Sequence, residues 1–299
     1  MPSSITQQKR AQLLTFIERK LKPIATVRGV IGIGSIATGA MRANSDIDAI
    51  ILMEPLDLYV APAEAIWVPD DDSFHSIFSQ NAHVHASGVQ FDFVRAPMSQ
   101  WTDPDYELEE GRLAELAEGW IAFDRNGSVA RLIAARTSYT DELRMRRLDE
   151  AIVMLDGHVK WDEPADLWTS LGAARAHDRL NAAYFYLVQM LFAYNRRWRA
   201  WRNREMSYLL KLPWLPHNFT ERVLTAQNAP ALDLAGYTAR FHQLRDLLDD
   251  VLARLTTDGD YGDDPVGEAF VRTHDEPGRA WNLAEWEQTH HNNSQKEQL

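Results

Sequence analysis

No cysteine occurs anywhere in the 299 residues. That excludes disulfides, thiol nucleophiles and cysteine-ligated zinc. No run of about 20 apolar residues is present of the kind that crosses a bilayer as a helix. The opening residues, MPSSITQQKRAQLL, lack the apolar core of a secretory signal, and the cytoplasm is the expected location. Positive charge is scarce: 31 Lys and Arg stand against 43 Asp and Glu, for a formal net charge of −12. Nucleic-acid backbones attract proteins through surplus cations, so general nucleic-acid binding is not expected. The balance is compatible with a small cationic partner. Repeats of 20–50 residues and long low-complexity segments are also missing.

What is present is ordinary for a soluble globular chain, 45% hydrophobic and 25% charged. The length predicts two domains. The most informative stretch runs from Val27 to Glu54. An apolar run, Val30 to Ile33, ends in Gly34-Ser35. After a polar interval containing Gly39, Arg42 and Ser45 come Asp46-Ile47-Asp48 and a second apolar run, Ala49 to Met53. Residues two apart in a strand share a face, so Asp46 and Asp48 would stand side by side while Ile47 and Ala49 face a core. Two such carboxylates repel unless a cation lies between them. Mg²⁺, a hard ion held by one or two carboxylates plus substrate phosphates, is the expected one. Glycine lets a backbone approach a phosphate closely, and turn amides bind anions. Acids beside such a turn suit phosphoryl or nucleotidyl transfer.

Gly34-Ser35, ten residues, then Asp46-x-Asp48 between apolar runs resembles the signature of the DNA polymerase β-like nucleotidyltransferase superfamily. The GSxAxGxxRxxSDID form resembles, more narrowly, the aminoglycoside (antibiotic) adenylyltransferases and their uncharacterised bacterial relatives. The resemblance implies an α+β chain. A small mixed-sheet catalytic domain would be followed by an α-helical bundle that closes over the nucleotide, with the active site in the cleft. It implies metal ligands at Asp46 and Asp48, one or two Mg²⁺ ions, and phosphate contacts at Gly34 and Ser35, with Arg42 and Ser45 nearby. The superfamily carries a third carboxylate on a later strand. Asp92 matches it, as the one acid inside Val89-Gln90-Phe91-Asp92-Phe93-Val94. Asp92 would be a metal ligand, a proton acceptor or both.

Along the chain, residues 4 to 21 read as a helix with a capping-box pattern, Ser4 and Gln7, and apolar spacing at Leu13, Leu14, Ile17 and Leu21. No chemistry is expected of it. Val27 to Ile33 and Ile47 to Met53 read as strands, with a turn or short helix from Ile36 to Arg42. The segment 55–80 gives little pattern. Asp70-Asp71-Asp72 reads as a solvated turn, and Ser73 to Gln80 as a short helix. Ala82 to Ala86 and Val89 to Val94 read as a hairpin. His83 and His85 alternate on its first strand without a further ligand pattern. Tyr106 to Glu118 reads as a helix and Trp120 to Phe123 as a strand. The catalytic domain is expected to span 1–138, the helical bundle 139–275, and a last helix with a polar tail 276–299.

In the helical part, Asp141 to His158, Asp166 to Tyr194, Phe219 to Gln227 and Leu232 to Leu255 read as helices. Asp258 to Asp264 reads as an acidic loop, and Ala280 to Gln288 as a final helix with disorder from Thr289. Between them, Asn195 to Arg204 interleaves five arginines with two tryptophans. It reads as a solvated helix end, as an RNA-contacting surface, or, by the resemblance, as a triphosphate-holding segment with Arg196 and Arg204 as the contacts.

The expected reaction moves NMP from an NTP, with ATP the expected donor, to a hydroxyl acceptor, and releases pyrophosphate. A small molecule such as an aminoglycoside is favoured over a macromolecule. Glu107, Glu109 and Glu110 are possible acids for a cationic acceptor. One rival keeps the chemistry but modifies a protein or RNA, as toxin-neutralising adenylyltransferases do. Another is a non-catalytic nucleotide-binding protein. No membrane partner is expected.

Overall fold

The computed structural model describes residues 2–276, 279 and 282–296. The chain divides into two compact units. One comprises Met1–Ser138 with Trp198–Arg202, and the other Tyr139–Arg197 with Asn203–Leu299.

The first unit begins with α1 (Ser4–Phe16), which passes into a π-helical turn at Ile17–Leu21. Leu13, Phe16, Ile17 and Leu21 are buried, as helical spacing requires. The cap is Ser3 rather than Ser4: its hydroxyl accepts from the Thr6 amide. β1 (Val27–Gly32), α2 (Ser35–Thr38) and β2 (Ile47–Met53) then follow, close to the expected positions.

The next stretch corrects the sequence reading. β3 (Glu64–Val68) and β4 (Ser73–His75) form a pair where a short helix was expected after Asp72. Trp67 packs on the face that carries Phe91, and Ile66 on the opposite face with Val84. Ala82 to Ala86 is not a strand. It lies in α3 (Ala82–Ser87), capped by the Asn81 side chain accepting from the His83 amide. Alternation of histidine with small residues gave period two, but only Val84 is buried, and one apolar residue does not make a sheet face. β5 (Val89–Pro97) therefore pairs elsewhere, parallel to β2 and antiparallel to β3. After α4 (Met98–Thr102), α5 (Glu110–Ala117) is shorter than the helix expected from Tyr106. β6 (Trp120–Asp124) and α6 (Ser128–Arg136) complete the unit.

The sheet is mixed, with strand order β4-β3-β5-β2-β1-β6. One face buries Ile47, Ala49, Ile51 and Met53 with Phe91, Phe93 and Trp67 against Leu13 and Phe16 of α1. The Phe16 ring lies 4.7 Å from that of Phe91 and 5.4 Å from that of Phe93. The other face buries Ile31, Ile33, Ile50, Leu52 and Ala96 against Leu116, Val129 and Leu132 of α5 and α6. Alternation along β2 and β5 therefore assigns Asp48 and Asp92 to this second face, at the end where its apolar cover stops.

The second unit is helical. It contains α7 (Asp141–Val159), α8 (Pro164–Leu171), α9 (Ala173–Tyr194), α10 (Glu205–Leu209), α11 (Phe219–Gln227), α12 (Leu234–Asp258), α13 (Pro265–His274) and α14 (Leu283–Lys296). The helix expected over Asp166 to Tyr194 is broken at Gly172, whose φ of +75° stops α8. Leu180, Tyr184, Leu187 and Leu191 of α9 are buried with Leu148, Ile152 and Leu155 of α7 and Phe241, Leu244 and Leu248 of α12. The loop 258–264 is tied down rather than simply solvated. Arg144 donates to both Asp260 carboxylate oxygens, at 2.7 and 2.5 Å, and the Tyr261 hydroxyl donates to Asp149 at 2.7 Å. The sequence did not signal α13, whose Arg272 also donates to Asp149. The expected start of the last helix at Ala280 lies outside the described residues, as do 297–299. α14 continues through the polar residues after Thr289 that were expected to be disordered. Among the described residues no helix is long and apolar enough to cross a membrane.

Candidate functional site

β2 and β5 run parallel, with Asp48 opposite Asp92, and Glu64 of β3 opposite Asp92 on its other side. Paired residues on neighbouring strands share a face. A row of three acids thus crosses three adjacent strands. Like charges facing each other across strands cost stability unless something screens them. Asp46 stands one turn of the pleat before Asp48 and is half-buried. Burial pushes the Asp92 carboxyl above its ordinary range, the Asp46 carboxylate pushes it further, and Arg112 opposes both. Asp92 and Asp46 therefore sense each other directly. Glu64 escaped the sequence reading because it lies in the patternless segment after Pro55.

The loop between β1 and β2 brings the glycine–serine turn to the same place. Gly34 has φ +61° and ψ −130°, a conformation that only glycine takes without strain. A Cβ there would lie 3.1 Å from Asp48 Oδ2. The Ile33 amide donates to the Asp48 carbonyl at 3.0 Å, fixing the turn against the start of β2. Ser35 is the first residue of α2. Arg42 and Ser45 close the turn that delivers Asp46. The Arg42 amide donates to Ser45 Oγ at 3.0 Å, and the Ser45 amide to the Arg42 carbonyl at 3.1 Å. The Arg42 side chain is exposed. The structure thus gathers Gly34, Ser35, Ser45, Asp46, Asp48 and Asp92 around the same ends of β1, β2 and β5.

α1, from which no chemistry was expected, belongs to this site. Arg10 donates to the Ile36 carbonyl at 3.0 and 2.8 Å and to the Ala37 carbonyl at 2.8 Å, with its guanidinium 4.6 Å from the Trp120 ring centroid. The Met41 amide donates to Thr6 Oγ1 at 3.2 Å, and the Ser3 amide to the Gly39 carbonyl at 3.3 Å. Lys9, next to Arg10, is half-buried. Burial lowers its pKa, and the Asp46 carboxylate opposes that. Nothing in the sequence marks Lys9: it occurs in an ordinary polar helix face.

The other cation is Arg112 of α5. It donates to Glu115 at 2.6 Å and lies 5.9 Å from the Trp101 ring and 5.8 Å from the Trp201 ring. Trp201 comes from the arginine–tryptophan run, which begins as the expected helix end, with Asn195 capping α9 and Arg196 and Arg197 exposed beyond it, but does not stay there. α9 stops at Tyr194, and Trp198–Arg202 packs within the first unit. The Trp198 indole donates to the Thr137 carbonyl at 3.0 Å, and the Arg199 amide to Glu110 Oε1 at 3.1 Å. The two arginines singled out from this run lie in the second unit. Arg196 pairs with Asp141 there, and Arg204 is exposed immediately before α10. Of the other acids, Glu107 and Glu109 are exposed and Glu110 is half-buried.

Two clusters set aside from the sequence have structural partners. Asp72 accepts from Lys20 at 2.9 Å and from the Trp67 indole at 3.0 Å. His85 Nε2 lies 2.7 Å from the Ser79 carbonyl oxygen, and His83, two residues earlier on α3, projects to roughly the opposite side of the helix.

The donor set at Asp46, Asp48 and Asp92 is all carboxylate oxygen, the chemistry of a hard divalent cation. The Asp92 carboxyl is raised first by burial and second by the Asp46 carboxylate, and a cation beside the pair would relieve both costs. Among the described residues, no group of three or more His, Asp and Glu side chains is arranged to hold a metal by itself.

No protein-family model matches the chain, and no curated protein matches it. Among solved structures it is similar to a nucleotidyltransferase-like protein from Exiguobacterium sibiricum 255-15, at 11% identity and a TM-score of 0.41, over 93% of this chain and 84% of that one.

Proposed function

We propose that the chain is a Mg²⁺-dependent nucleotidyltransferase that moves NMP, with ATP as the expected donor, to a hydroxyl of a small acceptor. The observation that carries this reading is the row of Asp48 and Asp92 on parallel strands, with Asp46 close enough to raise the Asp92 carboxyl. It stands beside a glycine turn whose backbone other residues would take only under strain.

In this reading Asp46 and Asp48 would hold the metal, with Asp92 beside them. Bound Mg²⁺ would neutralise phosphate charge and so favour departure of pyrophosphate. Ser35 and the amides of the Gly34 turn receive phosphate oxygens. An acceptor hydroxyl attacks the α-phosphorus. Its O–P bond forms as the bond from that phosphorus to the bridging oxygen of the β-phosphate breaks, and pyrophosphate leaves with the electron pair. The hydroxyl proton passes to Asp92, whose raised pKa makes it a better base than an ordinary carboxylate. The net acidity of the chain suits a cationic acceptor of the aminoglycoside kind.

The test is mass spectrometry of a panel of antibiotics and metabolites incubated with the protein, Mg²⁺ and each NTP in turn. The expected result is one acceptor carrying an added NMP mass, with pyrophosphate released in equal amount. Neither product with any NTP overturns the reading.

A further inference from the structure

We propose that Lys9 is a polyphosphate-binding residue of the acid site, its ammonium taking an oxygen of a nucleotide's β- or γ-phosphate. The inference rests on the nucleotide reading above and adds to it a ligand contact on α1.

Asp46, Asp48 and Asp92 would repel a polyphosphate, so cations must offset them. Two of the nearby cations are committed. Arg10 spends its guanidinium on the Ile36 and Ala37 carbonyls, and Arg112 on Glu115. Arg42 is exposed. Lys9 differs from all three. It is half-buried, and among the described residues its ammonium makes no hydrogen bond and no ion pair. Asp46 acts on it through space only. A lysine that gives up hydration without gaining a partner costs free energy, and such a cost is met at sites that wait for a ligand.

Placement supports the same conclusion. Lys9 cannot drift from the turn, because its neighbours on α1 are bonded to it. Thr6 accepts from the Met41 amide, Ser3 donates to the Gly39 carbonyl, and Arg10 grips the carbonyls of α2. The helix therefore carries one residue that fixes the phosphate turn and, adjacent to it, one uncommitted cation. An ammonium is a point charge with three rotatable donors, suited to a mobile phosphate oxygen.

The test is equilibrium binding by calorimetry, with Mg²⁺ present and no acceptor, of ATP, AMP and inorganic pyrophosphate to the full chain and to Lys9→Met and Lys9→Arg. Methionine keeps the stem and removes the charge, and Lys9 has no protein partner to lose, so Lys9→Met should melt as the parent does. The expected result is a loss of about tenfold or more in ATP and pyrophosphate affinity in Lys9→Met, AMP affinity unchanged, and substantial recovery in Lys9→Arg. Equal affinities in parent and Lys9→Met overturn the role of Lys9 while leaving the nucleotide reading intact. A uniform loss for all three ligands, or a loss only alongside a lower melting temperature, also overturns it. If the parent protein binds none of the three, the nucleotide reading fails and this inference fails with it.

Discussion

Gly34 and Asp48 meet at the open end of β1 and β2, where a Cβ on the glycine would lie 3.1 Å from the aspartate Oδ2. Two constraints coincide there: a φ of +61° with ψ −130°, and a carboxylate against the backbone. Gly34→Ala is therefore expected to lose about 1–3 kcal/mol of stability from backbone strain. It should also lose nucleotide affinity, because the turn and Asp48 cannot both keep their places. Thermal melting and ATP binding, measured together, check this. A stable variant with normal binding would separate the turn from the site.

The carboxylates should behave in the opposite way. Asp46→Asn and Asp48→Asn each remove one charge of the acid row, and in Asp46→Asn, which relieves the Asp92 carboxyl, the melting temperature should hold or rise. Transfer should fall by at least about 100-fold in each, as expected when a group that stabilises reacting charge is lost. Activity retained in both variants would remove the metal assignment.

Asp92→Asn should separate chemistry from binding. As proton acceptor Asp92 contributes a rate factor of about 10²–10⁴. The expected outcome is a fall of that size in single-turnover rate with ATP affinity unchanged. A pure binding defect would assign Asp92 to the nucleotide's metal instead.

A pH test falls on the helical unit. Asp260 has its carboxyl held below the ordinary range by the Arg144 guanidinium, which is itself almost fully buried and keeps an unpaired Nε. A depressed folded-state pKa gives stability that is present above the unfolded value and lost as pH falls through the folded one. The contribution should thus be full at neutral pH and fade below about pH 4. Asp260→Asn should cost on the order of 2 kcal/mol at pH 7, since a desolvated guanidinium loses its charged acceptor. Denaturant melts from pH 7 downward should show the parent and variant converging as the medium acidifies.

These residues also show what a sequence can carry. β2 and its two acids were legible because period-two alternation and a local motif coincide over a few residues. Asp92 was legible because a lone acid between Phe91 and Phe93 must face away from them. The pairing of β5 was not, because β2 and β5 join through a long crossover, and nothing local distinguishes that from a hairpin across Ser87-Gly88. Glu64 reaches the acid row only through that pairing. Lys9 and Arg10 were hidden for another reason: a polar residue on an amphipathic helix looks the same whether it faces water or a turn 26 residues onward.

The return of Trp198–Arg202 to the first unit is the least legible feature, and it makes the sharpest stability prediction. Gly111 begins the second position of α5, where an added Cβ would lie 2.7 and 2.8 Å from Trp201 Cε2 and Cε3. Arg112 lies 5.8 Å from the indole centroid, and the chain two residues before Trp201 is anchored by the Arg199 amide donating to Glu110. In a helix, alanine normally stabilises relative to glycine by about 1 kcal/mol. Here overpacking costs about 1–3 kcal/mol and should win. Gly111→Ala is expected to lower the melting temperature, and Trp201→Ala in the same chain should restore most of the loss by removing the obstacle. A double-mutant cycle checks the coupling: additive effects would show that Trp201 does not press on Gly111.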